Sequence, residues 1–181
     1  MARIAILGWG SLIWDRRDLP IDGDWRLHGP VLKLEFSRRS ADGRLTLVID
    51  TTNGQKCPTR FAESARRNLE DAICDLQHRE GTSREYIGAI ETKSRPSDTT
   101  PEHERQIWCW AAENRFDAVI WTNLPPRVPR EWKEFSVTAA EEYLKNLPGV
   151  CQGRAREYLI KAPPEVDTPL RRRLRTWLEK S

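Results

Sequence analysis

The 181-residue chain is 38% hydrophobic and 31% charged, with a mean hydropathy of −0.69. That composition suits one folded domain and excludes a disordered chain; its apolar runs fall well short of the ~18 residues of a membrane span. The formal net charge of +3 is uneven: residues 150–181 hold eight Lys/Arg against four Asp/Glu, so the remainder is near neutral and nucleic acid is not the expected partner.

The chain runs straight into a strand-like segment at 2–7, with no signal or transit pattern, so a cytoplasmic protein with no membrane association is expected. The apolar run Ile4–Leu7 then stops at Gly8-Trp9-Gly10-Ser11. Glycines that tolerate positive φ allow a sharp turn there. Consecutive amides in such a turn form an anion-binding concavity, although packed tryptophans around an ordinary turn explain the same residues. Residues 30–37 alternate, with Leu32, Leu34 and Phe36 on one face and Lys33, Glu35 and Ser37 on the other, as in a half-buried strand. Asp42-Gly43 signals a hairpin, and 44–50 returns antiparallel.

The period changes at 68–79, where Leu69, Ala72, Ile73 and Leu76 mark an amphipathic helix. Asn68 caps its start and Gly81 ends it. A strand follows at 85–92. After the polar linker 94–101, Thr100 and Pro101 open a helix that runs to about Asn114. Residues 117–122 read as a buried strand, and the prolines of "NLPPRVPR" make a loop. From Ser136 the pattern is helical: a capping box at Thr138–Glu141, a helix over about 150–161, and a last helix from Thr168-Pro169 through "LRRRLRTWLEK". The expected class is α+β: a mixed, mostly antiparallel sheet with packed helices, in one domain over 1–181 whose helical C-terminal extension covers about 136–181.

Chemistry-bearing groups are few. Cys57, Cys74, Cys109 and Cys151 form no CxxC, and with three histidines they have no zinc spacing; reduced, mostly buried cysteines are expected, with Cys109 in the core. Arg171, Arg172, Arg173 and Arg175 read as a solvated helix face. Glu80, in "LQHREG", sits at a helix C-terminus, where the backbone dipole opposes a negative charge and suits a general base. A surface pair with Arg79 or Arg84 is the plainer reading.

Two of these segments together resemble a known family. "ILGWGSLIWD" is similar to the "FGYGSLIW" opening of ChaC-type glutathione cyclotransferases and, more loosely, of the γ-glutamylcyclotransferase-like family. "LQHREG" resembles the family's "L-D-x-R-E" segment, "FSRRSADGRLTLVID" its hairpin, and "GRAREYLIKA" a late helix. The resemblance implies a small, mostly antiparallel β-barrel with surrounding helices. It implies cyclisation of a γ-glutamyl group to 5-oxoproline, with no metal or cofactor. By position, Glu80 would be the acid/base. Trp9, Gly10, Ser11 and Leu12 would bind the γ-glutamyl end, and Tyr158 would help close the pocket. Trp9 replaces the family's tyrosine, and the "D-H-R-G" and "P-G" elements of glutathione-specific members are missing around Ser40–Arg44, so glutathione is not the expected substrate. A small-molecule binding protein without turnover on the same fold is the alternative; a nucleic-acid or acidic-partner module using the arginines of 171–175 is a third reading.

Overall fold

The computed structural model describes residues 2–179. In chain order the elements are β1 (Ile4–Gly8), β2 (Ile21–Arg26), β3 (Val31–Arg39), β4 (Leu45–Ile49), β5 (Gln55–Pro58), β6 (Arg60–Ser64), α1 (Leu69–Glu80), β7 (Ile87–Glu91), α2 (Glu102–Glu113), β8 (Ala118–Thr122), α3 (Val137–Lys145), α4 (Gly149–Lys161), α5 (Pro169–Arg173) and α6 (Arg175–Glu179). Among the described residues the architecture is therefore α+β, as expected, with two sheets. The chain divides into two compact units, Met1–Leu32 with Pro58–Leu124 and Lys33–Cys57 with Pro125–Ser181. No helix among the described residues is long and apolar enough to cross a membrane.

The first unit is built on a five-stranded sheet in the order β2-β6-β1-β8-β7. β1 lies at its centre, antiparallel to β6 and parallel to β8, and all five of its residues are buried. Ile4 and Ile6 join Ala118 and Ile120 in one cluster with Ala72, Ile73 and Leu76 of α1. Alternation sends Ala5 and Leu7 to the opposite face. α1 forms where its periodicity predicts. The Asn68 side chain accepts the Glu70 and Asp71 amides, and Gly81 adopts the left-handed conformation at φ 60° that closes the helix.

β2, β5 and β6 were not legible in the sequence. β2 is an edge strand with mostly exposed residues, and β5 ends at Pro58 with only Thr59 before β6, so neither region shows a period-two pattern. Backbone pairing with distant β1, such as Ala5 opposite Glu63, makes β6 a strand.

The second unit holds the sheet β4-β3-β5 and the helices α3–α6. The predicted hairpin is present: β3 and β4 are antiparallel, and Gly43 turns at φ 87°. The Tyr143 hydroxyl donates to the Gly43 carbonyl at 2.8 Å and ties the turn to α3. The half-buried reading of β3 needs correction, because Glu35 and Ser37 are both fully buried. A bulge between Glu35 and Arg38 breaks the alternation. Glu35 also faces α5, accepting the Leu170 amide at 3.3 Å.

Among the described residues each sheet is open in its hydrogen bonding, with β2 and β7 at the ends of one and β4 and β5 at the ends of the other. Three helix boundaries differ from expectation. α2 starts after Pro101, because the Thr100 hydroxyl is engaged with the Ser97 amide. Ser136, not Thr138, caps α3, its hydroxyl accepting the Ala139 amide at 3.1 Å. The last helix breaks at Leu174 into α5 and α6, and its expected end at Lys180 lies outside the described residues. Cysteine burial also differs: Cys57 is buried, Cys151 is intermediate, and Cys74 and Cys109 are exposed. Cys109 is on the outer side of α2, whose buried residues are Ile107 and Ala111. Arg171 is not a solvated side chain, since its guanidinium bonds the carbonyls of Ala162, Pro163 and Val166 at 2.5–2.9 Å.

Candidate functional site

The site is assembled within the first unit, where β1 delivers the chain into a tight turn. Gly8 is required by close approach and not by its dihedral angles. A Cβ there would lie 2.8 Å from the Trp25 ring, and the glycines of positive φ among the described residues are Gly23, Gly43 and Gly81. The expectation of a left-handed glycine in the Gly8–Gly10 turn is therefore corrected. The turn is held by Ile13 N–H to Gly10 O at 3.0 Å and Asp15 N–H to Ser11 O at 2.8 Å. Among the described residues, no backbone bond of this turn uses the amides of Gly10, Ser11 or Leu12. Those three donors are the ones an anionic or carbonyl oxygen would need.

Trp9 and Leu12 are each 5% exposed. Leu12 packs into the cluster formed with Ile73 and Leu76, so it anchors the turn to α1. Arg79 extends the buried stripe of that helix, three residues beyond Leu76 and seven beyond Ala72. Its side chain is consequently only 5% exposed, and that of Glu80 only 15%.

The Arg79 guanidinium joins the two motifs. Nη1 donates to Glu80 Oε1 at 2.5 Å, and Nε donates to the Asp15 carbonyl at 3.1 Å. Nη2 also donates to the Asp15 carbonyl and lies 3.5 Å from Ser11 Oγ, the outer limit of a hydrogen bond. On the other side, Arg17 Nη1 donates to the Arg79 carbonyl at 3.0 Å, satisfying an orphan acceptor of the helix end.

The pairing with Arg79 expected of a surface glutamate is present, but the pair is largely buried. Arg84, the other expected partner, lies 3.9 Å from Glu70 instead. Two fields act on the Glu80 carboxylate. The helix terminus carries about half a negative charge, and the guanidinium is a full positive charge in contact. Sequence reasoning treated Arg79 only as a surface partner; its place in the stripe Ala72, Leu76, Arg79 was the signal that it points inward.

Tyr158 belongs to the second unit. It is 6% exposed, its hydroxyl accepts the Leu47 amide at 3.4 Å, and its ring meets Phe36 edge-on at 6.1 Å. That unit also has an open depression of about 410 Å³ beside Ile160, Arg171, Arg175 and Leu178. It contains none of the expected site residues, and its Arg171 is spent on backbone carbonyls. Among the described residues, no group of three or more His, Cys, Asp or Glu could hold a metal ion. No protein-family model matches the chain, and no curated protein matches it significantly in sequence.

Proposed function

We propose that this chain is a γ-glutamylcyclotransferase-like enzyme. It would convert a γ-glutamyl compound to 5-oxoproline and release an amine or amino acid. The observation that carries the reading is the meeting of the two motifs. The Trp9–Leu12 turn and Glu80, 68 residues beyond Leu12 in sequence, are drawn together through one guanidinium. Closure of the family's small barrel belongs to the same proposal.

The chemistry asks little of the protein beyond position and a proton carrier. The α-ammonium of the γ-glutamyl group gives a proton to Glu80. The freed amine attacks its own γ-carbonyl carbon, closing a five-membered ring. The Gly10, Ser11 and Leu12 amides would hold the γ-glutamyl end. As the tetrahedral centre collapses, the bond to the leaving nitrogen breaks, Glu80 returns its proton to that nitrogen, and the second proton shed by the ring nitrogen goes to the departing amine, which leaves as an ammonium. One carboxylate thus serves as base and then as acid. Holding the chain folded for this attack is worth ~7–11 kcal/mol in favourable intramolecular cases.

The ion pair itself favours the alternative, a γ-glutamyl or carboxylate binding protein without turnover, because Arg79 neutralises Glu80. Assay of the purified chain against γ-glutamyl amino acids, γ-glutamyl amines and glutathione separates the two readings. Release of 5-oxoproline, lost by at least about 100-fold in Glu80→Gln, is the expected result. Binding without release, or a Glu80→Gln enzyme of unchanged turnover, would sink the catalytic assignment.

A further inference from the structure

Arg79 ties the two parts of the site together. Its side chain is almost fully buried, and its donors divide between two fixed groups. Nε and Nη2 grip the Asp15 carbonyl, which belongs to the Ser11–Asp15 turn. Nη1 takes one oxygen of Glu80, Oε1. Among the described residues the second oxygen, Oε2, has no hydrogen-bond partner. The carboxylate is thus pinned by one oxygen and leaves the other for a proton.

We propose that Arg79 is a positioning residue for the proton-carrying step. It registers the Glu80 carboxylate against the Gly10–Leu12 amides, using the Asp15 carbonyl as a fixed anchor, so that Oε2 meets the substrate nitrogen. This inference rests on the cyclotransferase reading and deepens it. Only a guanidinium fits the arrangement. A planar fork reaches a carbonyl and a carboxylate at once, whereas a lysine ammonium offers one compact charge. The substrate's own binding would pass through the turn amides, so the loss of Arg79 acts on turnover and not on binding.

The test uses the full chain and a γ-glutamyl substrate that it turns over. Arg79→Gln is expected to lose about 100-fold in kcat while KM stays within about threefold, as a misplaced catalytic group would cause. Arg79→Lys keeps the charge but not the fork, and should remain at least about tenfold below wild type. Methylguanidinium added to Arg79→Ala should restore part of kcat. Arg66→Ala removes an exposed ion pair to Asp75 of the same helix, away from Glu80, and should turn over as wild type does. Circular dichroism melts establish that each variant is folded; if the neutral variants are not, Arg79→Lys alone decides. A folded Arg79 variant with wild-type kcat overturns the inference, as does a loss confined to KM. A wild-type chain that releases no 5-oxoproline overturns the cyclotransferase reading itself, a separate result.

Discussion

Glu35 is fully buried on β3, where the amides of Phe36 and Leu170 donate to its carboxylate oxygens at 2.8 and 3.3 Å. Burial pushes its carboxyl above the usual range, and the charge of nearby Asp50 adds to the effect. Hydrogen bonds from Thr168, Phe36 and Leu170 oppose it but do not win. The native state therefore holds this proton more tightly than the unfolded chain does. The stability this group contributes is complete below its ordinary value of 4.5 and is lost as pH rises through the raised native value. Urea melts across pH should show Glu35→Gln gaining on wild type as pH climbs above about 4.5. A difference that does not vary with pH would contradict this account. Arg79 differs at the same scale because its charge is met by a carboxylate on the next residue. Truncating one member of a buried pair costs ~3–5 kcal/mol, which is why folding must be checked before any kinetic reading of Arg79 variants.

At the level of elements, α1 connects the core to the site. Ala72, Ile73 and Leu76 face β1 and β8, and the same stripe one turn later becomes Arg79. Packing in the middle of the helix thus sets the position of its end. Leu76 is fully buried, so Leu76→Ala should destabilise the chain by ~2–5 kcal/mol, read as a lower urea midpoint at unchanged slope. A change below about 0.5 kcal/mol would mean that the cluster does not hold α1. The strands illustrate what local sequence conveys. β3 and β4 announced themselves through alternation and Asp42-Gly43. β2 and β6 carry no such pattern, and only pairing across the sheet makes them strands.

For the whole molecule, the basic C-terminal segment has partners of its own. Arg171 holds three carbonyls of the 162–166 connection, Arg172 pairs with Asp167 at 3.1 Å, and Arg173 pairs with Glu141 at 2.6 Å. These contacts leave little reason for a polyanion to bind there. Retention on immobilised DNA or RNA is expected to be absent at about 150 mM salt, whereas strong, salt-graded retention would reopen that possibility.

The sequence by itself determined the α+β class, the hairpin, α1 with its Asn68 and Gly81 ends, and the two motifs at Ser11 and Glu80. These are local properties, written in hydrophobic period, cap residues and turn residues. Tertiary structure decided the rest. It made strands of polar segments by pairing them with β1, buried Glu35 beneath α5, and exposed Cys109 on the far side of its helix. It also settled the environment of Glu80. The stripe Ala72, Leu76, Arg79 turns Arg79 inward, but what its guanidinium meets there depends on the Ser11–Asp15 turn. A carbonyl 64 residues away in sequence holds its guanidinium in place.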